Sequence, residues 1–197
     1  MNIKEKKQRL KEILSSSETI QKSLAMNNFE EVYYQLPQYL IPVFTDVCLD
    51  ARINTLNFMK EVPNFFMRGL ESVINVEIPQ GITRINPFSF SDMDQLQSVT
   101  IPSSVKTINY SAFEDDYKLY NVDLSEGLEE IGSNAFAHCT TLENITLPST
   151  LKKVYSNAFA ESGLKEIKYL GNQEQFDKIK GDLLAYLPNV KVEILGE

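Results

Sequence analysis

The chain has 197 residues, of which 43% are hydrophobic and 23% charged, with a net charge of −8. This composition is typical of a folded soluble protein, and it excludes a disordered or fibrous chain and two full independent domains. Residues 73–197 carry ten basic and eighteen acidic side chains, so direct binding of nucleic acid or of an anionic membrane is not expected.

Residues 1–14 contain seven charged side chains and no apolar run of the kind that a secretory signal needs. No stretch reaches the roughly 18 apolar residues of a membrane span. We therefore expect a cytoplasmic protein. Cys48 and Cys139 lie far apart without metal-like spacing, which favours two buried thiols in a reducing compartment over a disulfide.

The first part of the chain, residues 1–52, is predicted to be a helical segment. Helical spacing of apolar residues predicts one helix up to a break at residues 15–18, where a new N-cap begins a second helix, and then a further short helix. The residues that carry this pattern are Leu10, Ile13, Leu14, Ile20, Leu24, Phe29, Val32, Tyr33 and Leu36. Two interpretations stay open: the helices cover the open end of the domain that follows, or their basic stretch docks on a partner.

An internal repeat with a period of 23 residues fills the second half of the chain. Four columns share this spacing: Ile78, Ile101, Leu124 and Leu147; Ile82, Val105, Leu128 and Leu151; Ile85, Ile108, Ile131 and Val154; and Phe90, Phe113, Phe136 and Phe159. Each unit contains a short alternating strand, which Pro79, Pro102 or Pro148 ends in three of the units. One such unit cannot bury its own apolar face, so neighbouring units must stack into a solenoid.

Weaker signals extend the pattern in both directions. Stepping back by 23 gives a degenerate repeat at residues 53–72, and a further step places Phe44 below Met67 and Tyr39 below Val62. We therefore expect repeats over residues 53–169, with the helical segment overlapping a degenerate first repeat. Residues 170–197 abandon the pattern and predict a C-terminal cap made of a short helix near 173–186 and a last edge strand.

The units LENITLPSTLKKVYSNAF (residues 142–159) and IGSNAFAHC (residues 131–139) resemble BspA-like, or Treponema-type, leucine-rich repeats. The resemblance covers residues 73–169 well and 53–72 loosely. It implies a β-rich solenoid whose repeats are non-catalytic scaffolds, and many members of the family are surface or secreted proteins of bacteria and protists that adhere to host proteins. This chain shows no signal or anchoring segment, so a cytoplasmic, phage-encoded or accessory binding role fits equally well.

Two surfaces are candidates for binding a protein partner. The strand positions between the inward columns form an exposed row, predicted to comprise Glu77, Thr100, Asp123, Thr146 and Lys168 with the flanking Asn121 and Asn144. Residues 92–143 contain ten acidic side chains and two lysines. The acidic patch predicted there consists of Glu114, Asp115, Asp116, Glu126, Glu129 and Glu130. It is suited to a basic partner or to imitating nucleic acid, although ordinary solubility also explains it.

Little in the chain indicates catalysis. The nucleotide-binding, zinc-protease and hydrolase motifs are missing, and one histidine with two scattered cysteines does not build a typical zinc site. His138 and Cys139 are adjacent and so point apart, and the resemblance implies a structural cysteine at position 139. No cofactor, metal or catalytic residue is therefore predicted.

The sequence favours a protein-interaction scaffold that binds through the exposed strand row. A first alternative is an acidic inhibitor that occupies a basic or nucleic-acid-binding site of another protein. A second alternative is a carboxylate-dependent hydrolase, which rests only on the abundance of carboxylates. The identity of the partner is not encoded in any recognisable motif.

Overall fold

The computed structural model describes residues 2–25, 32, 35–40, 59–70 and 73–197. Two helices begin it, α1 (Ile3–Ser16) and α2 (Glu18–Ala25). Asn2 caps α1 by accepting the Glu5 N–H at 2.9 Å, and the Glu5 carboxylate accepts the Asn2 N–H in return. Ser17 separates the helices and accepts the N–H of Ile20 at 3.3 Å, so the predicted break is confirmed.

Both helices pack against the rest of the molecule. Leu10 and Ile20 are buried and belong to the same continuous hydrophobic cluster as the strands, with Ile13 and Leu14 packed against it. This contact is what the capping interpretation requires. Phe29 and Tyr33 of the third predicted helix lie outside the described residues. Within the part of the chain that the structure describes, no helix has the length and hydropathy to cross a membrane.

The described residues from 59 onward form short strands that pair only in parallel. They are β1 (Glu61–Val62), β2 (Asn75–Glu77), β3 (Arg84–Ile85), β4 (Ser98–Ile101), β5 (Thr107–Ile108), β6 (Asn121–Leu124), β7 (Glu130–Ile131), β8 (Asn144–Leu147), β9 (Lys153–Val154), β10 (Glu166–Tyr169) and β11 (Lys191–Ile194). The strands of two residues form one sheet in the order β1-β3-β5-β7-β9, and the longer strands form the sheets β2-β4-β6 and β8-β10-β11.

The strand register confirms the predicted solenoid and its period. Ile85 pairs with Ile108 and Ile108 with Ile131, and Val99 of β4 pairs with Val122 of β6. Each pair is separated by 23 residues, so one turn of the chain adds one strand to each side of the solenoid. The apolar columns face inward between the strand layers and form a single continuous core.

The phenylalanine column is the most regular part of this core. Phe90, Phe113, Phe136 and Phe159 stack in sequence with ring centroids 5.2 to 5.4 Å apart and interplanar angles of 6° or less. This separation approaches the spacing of neighbouring strands in a sheet, so the rings repeat with the backbone. Offset stacking of aromatic rings adds to their burial in stabilising the fold.

The degenerate repeat at 53–72 is confirmed where the structure describes it. Val62 of β1 pairs with Ile85, and Met67 is buried where later turns have phenylalanine. Phe66 compensates by packing edge-on against Phe90 at 6.4 Å. Ile53 and Phe44 lie outside the described residues. Tyr39 lies in a short 3-10 helix, Gln38–Leu40, and is half exposed, so it does not continue the buried column.

At the other end, α3 (Gln173–Leu183) covers the last turn, close to the predicted helix. Asn172 caps it through a capping box with Gln175. Its buried face includes Phe176, which lies 5.6 Å from the Tyr169 ring. The chain then returns as β11, which pairs with β10 as the predicted last strand.

Candidate partner-binding site

The predicted strand row lies on the surface of the solenoid. Alternation in β2, β4, β6, β8 and β10 turns the apolar side chains inward and the polar ones outward, so all seven predicted residues are exposed. The register aligns them across the turns: Glu77 pairs with Thr100, Thr100 with Asp123, and Thr146 with Lys168. Asn144 pairs with Glu166, which therefore also lies on this face.

The row is not one uninterrupted sheet. β6 and β8 lie side by side, but they belong to separate three-stranded sheets, so the ladder of paired strands is broken between them. A surface depression of about 410 Å³ lies across this break. Its lining includes four predicted residues, Asn121, Asn144, Thr146 and Lys168, together with Val122, Ile145 and Glu166. The structure thus gathers four predicted residues into one concave site and leaves Glu77, Thr100 and Asp123 on the β2-β4-β6 side.

The charges of the strand row differ in how far they are already paired. Glu166 accepts a hydrogen bond from Lys191 at 2.8 Å, and this hydrogen bond and the lysine charge lower the pKa of the Glu166 carboxyl. By contrast, Glu77 and Asp123 have no ion-pair partner among the described residues. Lys168 forms no ion pair there either, although its charge also lowers the pKa of the Glu166 carboxyl. Two carboxylates and one ammonium group are therefore available to an incoming surface.

The predicted acidic patch needs one correction. Asp116 is 0% exposed and lies in the core, in the column that also holds Met93 and Cys139. One oxygen, Oδ1, accepts the Met93 N–H at 2.8 Å, whereas Oδ2 is buried without a hydrogen-bond partner in the described part of the chain. Asp116 therefore contributes nothing to an exposed surface, and its assignment to the patch was wrong.

Burial governs the chemistry of this internal group. Desolvation raises the pKa of Asp116 well above its ordinary value, against the lowering effect of the Met93 N–H, and the nearby charges of Asp92, Asp115 and Asp94 raise it further. The pKa of the Cys139 thiol is likewise raised well above its ordinary value, first by desolvation and then by Asp116. A reactive cysteine needs the opposite shift.

Cys139 is buried, as predicted, and its Sγ donates to the carbonyl oxygen of Phe113 at 3.2 Å. Cys48 lies outside the described residues. His138 is half exposed, with Nδ1 at 3.6 Å from a carboxylate oxygen of Glu161. Its backbone has a φ of 60°, in a column of left-handed residues that also includes Asp92, Asp115 and Glu161. Asp and His tolerate this conformation better than most residues, which explains three of the four residues in this column but not Glu161.

The remaining acidic residues are largely engaged within the fold. Glu129 pairs with Lys152 at 2.7 Å and Glu130 with Lys153 at 3.9 Å. Glu126 accepts hydrogen bonds from Ser149 and Thr150 of the next turn. Glu114 accepts from the Asn134 amide and Asp115 from the Tyr117 hydroxyl. Lysines of later repeats thus neutralise part of the negative charge of residues 92–143.

A second depression, of about 300 Å³, lies along the five-stranded sheet and was missed at the sequence level. Tyr110 and Tyr155 line it together with Gly132. The two tyrosines belong to different columns of the repeat, so the search for repeated positions does not bring them together. Among the described residues, no cluster of three or more His, Cys, Asp or Glu side chains is placed to hold a metal ion.

Two solved structures share this fold. A leucine-rich cell surface protein of Faecalibacterium prausnitzii aligns with 65% of the chain at 23% identity and a TM-score of 0.55. The leucine-rich-repeat protein of T. pallidum aligns with 55% of the chain at 24% identity and a TM-score of 0.53. The chain spans 33% of the first protein and 51% of the second. No curated protein matches the chain significantly.

The model of the BspA type leucine-rich repeat region matches residues 60–186 in six copies. The match includes residues 60–70, where the sequence pattern is weakest, and the later turns as far as residue 186. Proteins with such repeats are typically non-catalytic. Together with the 23-residue register of the strands, this match shows that the chain belongs to the BspA-type leucine-rich-repeat family.

Proposed function

We propose that the chain is a non-catalytic scaffold that binds a protein partner through its exposed strand row. The observation that carries the proposal is the depression across the break between β6 and β8, where Asn121, Asn144, Thr146 and Lys168 meet. Its lining combines amide, hydroxyl and ammonium groups, which suit hydrogen bonding to a partner's side chains and backbone. Glu77 and Asp123 extend the same surface with carboxylates that lack an internal ion-pair partner among the described residues.

The two alternatives have less support. An inhibitor that imitates nucleic acid needs a dense field of exposed negative charge, but Asp116 is buried and Glu129 and Glu130 lie close to lysines. A carboxylate-dependent hydrolase needs two facing carboxyl groups with separate roles. Asp116, whose pKa is the most clearly raised among the carboxyl groups, is closed off in the core and does not meet a substrate.

The compartment stays a prediction. The Faecalibacterium prausnitzii protein is described as a cell surface protein. The proposed binding mode is the same in the cytoplasm and at the cell surface, because it depends on the strand row alone.

The proposal is tested with the tagged full-length chain, used to capture proteins from its native cells for mass spectrometry. Thr146→Arg places a long cation in the middle of the depression, and Ser156→Arg places the same side chain at an exposed position outside it. We expect a partner that Ser156→Arg retains and Thr146→Arg loses by about tenfold or more. Equal retention by both variants would move the site elsewhere, and the absence of any partner would contradict the scaffold function.

A further inference from the structure

A row of aromatic rings runs along the surface beside the five-stranded sheet. Phe65 and Phe88 are stacked with centroids 5.1 Å apart, and Tyr110 packs edge-on against Phe88 at 5.3 Å. The next turn, at Gly132 and Ser133, supplies no ring, and Tyr155 supplies one in the turn after that. The row therefore has a gap one turn wide between Tyr110 and Tyr155.

The gap is an open site in the structure. It coincides with the depression of about 300 Å³, whose lining includes Gly132 and Ser133 between the two tyrosines. Gly132 packs so closely on the preceding turn that an added Cβ would lie 2.7 Å from the carbonyl carbon of Asn109 and the nitrogen of Tyr110. The floor of the gap thus has to be a glycine. Tyr110 is 50% exposed and Tyr155 is 38% exposed, so both rings are accessible from solvent.

We propose that this gap is a second binding site, which receives one neutral aromatic side chain from a protein partner. Tyr110 and Tyr155 are 45 residues apart, one residue short of two full repeats, and both line this depression. A ring inserted between them would continue the series of stacked and edge-on contacts that joins Phe65, Phe88 and Tyr110. Phe88 packs on Tyr110 from the preceding turn, which leaves the side of Tyr110 toward Gly132 for the incoming ring.

The charges around the gap argue against a cationic occupant. Nζ of Lys153 lies 4.1 Å from the Tyr155 ring centroid and donates to its hydroxyl at 2.9 Å. Arg84 also lines the depression, and the one carboxylate in the lining, Glu130, lies 3.9 Å from Lys153. A second cation at this ring would meet an ammonium group that already occupies the favourable position over the ring.

The larger polar side chains around the gap are already engaged. The Arg84 guanidinium lies 3.7 Å from Glu61, and the Asn109 amide donates to Asn86 at 3.2 Å. The hydroxyl groups of Thr107, Tyr110 and Ser133 have no hydrogen-bond partner among the described residues. A sugar is therefore the competing ligand that the test has to separate from an aromatic ring. The site lies on a different sheet from the strand row, so it does not depend on the function proposed above.

The test is an NMR titration of the full-length chain with N-acetyltryptophanamide and N-acetyltyrosinamide, in which the backbone amides of Gly132 and Ser133 are followed. We expect saturable shifts with a Kd on the order of 1–10 mM, as for a single ring-sized ligand. Ser133→Trp fills the gap from within and should abolish the shifts, whereas Ser133→Ala should leave them unchanged. Tyr110→Ala with Tyr155→Ala should weaken binding about tenfold.

Tyr186→Ala removes an exposed ring outside the gap and serves as the matched control for loss of a tyrosine. Circular dichroism melts verify that each variant is folded. N-acetylargininamide and methyl β-glucoside serve as the competing ligand classes. Saturable binding of either of these in place of the aromatic amides, binding that survives in Ser133→Trp, or no saturable shift with any ligand would each overturn the proposal.

Discussion

Two columns of the same core, three residues apart, follow different rules. One contains Phe90, Phe113, Phe136 and Phe159, whose rings lie nearly parallel at 5.2 to 5.4 Å. The other contains Met93, Asp116, Cys139 and Ser162, a different residue type in each turn. The first three residues of each column are fully buried. The same backbone repeat therefore keeps phenylalanine at one position over four consecutive turns, with Met67 in the turn before them, and tolerates wide variation at another.

The contacts explain the difference. Each phenylalanine ring packs on the copy of itself in the next turn, so any other shape leaves a void beside two neighbours. In the second column, the side chain faces backbone groups: Asp116 accepts the Met93 N–H, and Cys139 donates to the Phe113 carbonyl oxygen. Hydrogen bonding is not a requirement of this position, because Met93 is apolar and both Ser162 Oγ and Asp116 Oδ2 are buried without a hydrogen-bond partner in the described part of the chain. The position therefore tolerates apolar and polar side chains alike.

The largest effect is expected from removing a ring of the phenylalanine column. Phe136→Ala removes a ring that stacks on both Phe113 and Phe159, and we expect a loss of about 3–5 kcal/mol in the free energy of unfolding. Since small domains are stable by about 5–15 kcal/mol, the melting temperature should fall markedly. Urea denaturation followed by circular dichroism measures the loss.

Phe159→Ala is the matched control, because within the column Phe159 has one stacked neighbour, Phe136. It should cost less than Phe136→Ala. Equal losses would show that stacking adds nothing to burial, and an unchanged melting temperature for Phe136→Ala would contradict the ladder itself.

The two columns also differ in how well the sequence predicts them. The 23-residue spacing of the phenylalanines was enough to predict their stacking and the strand register. Asp116 follows Glu114 and Asp115, and such a charge run normally lies in solvent. Counting by 23 instead aligns it with Met93 and Cys139, so the signal for its burial was present. The break between β6 and β8 had no such signal, because NVDL and NITL have the same alternation.

The binding surfaces also combine features that the sequence predicts with features that it does not. The strand alternation correctly predicted that Thr146 and Lys168 are exposed and adjacent. It did not predict the depression beside them, because that depends on where neighbouring strands separate. The gap between Tyr110 and Tyr155 also depends on contacts between turns, since Gly132 is needed there only when the preceding turn lies against it.

The column of Met93, Asp116, Cys139 and Ser162 can be tested by removing the carboxyl group of Asp116. Asp116→Asn keeps an oxygen for the Met93 N–H but does not ionise. Because the folded-state pKa of Asp116 is raised by desolvation, its contribution to stability is full below the ordinary value of 3.8 and is lost as pH rises through the folded-state pKa. Between the ordinary pKa and the folded-state pKa, the free energy of unfolding of the wild type should fall by about 1.4 kcal/mol per pH unit relative to that of Asp116→Asn. Above the folded-state pKa the difference should stay constant.

Denaturation of both proteins across the pH range measures this difference. At neutral pH we expect Asp116→Asn to be the more stable protein. Asp123→Asn, at an exposed strand position, is the control and should follow the wild-type pH profile. Parallel profiles for the wild type and Asp116→Asn would mean that the pKa of Asp116 is the same in the folded and unfolded protein, which contradicts the raised pKa.

The smallest effect is expected at the surface, where the solvent-exposed Glu126 accepts hydrogen bonds from the next turn, whereas the buried Asp116 accepts one from the preceding turn. Desolvation raises the pKa of Glu126, but hydrogen bonds from Ser149 and Thr150 outweigh it and lower the pKa overall. The stabilisation is therefore present above the ordinary value of 4.5 and is lost as pH falls through the lowered one. Glu126→Gln should cost only about 0.5 kcal/mol at neutral pH, because exposed charged contacts are weakened by solvent. The difference in stability between Glu126→Gln and the wild type should vanish in acid. At neutral pH its sign is opposite to that of Asp116→Asn, because Glu126→Gln is less stable than the wild type. Glu77→Gln, which loses no ion pair, should show neither change. If the Glu126→Gln difference instead grew in acid, the hydrogen bonds to Ser149 and Thr150 would not be the source of the stabilisation.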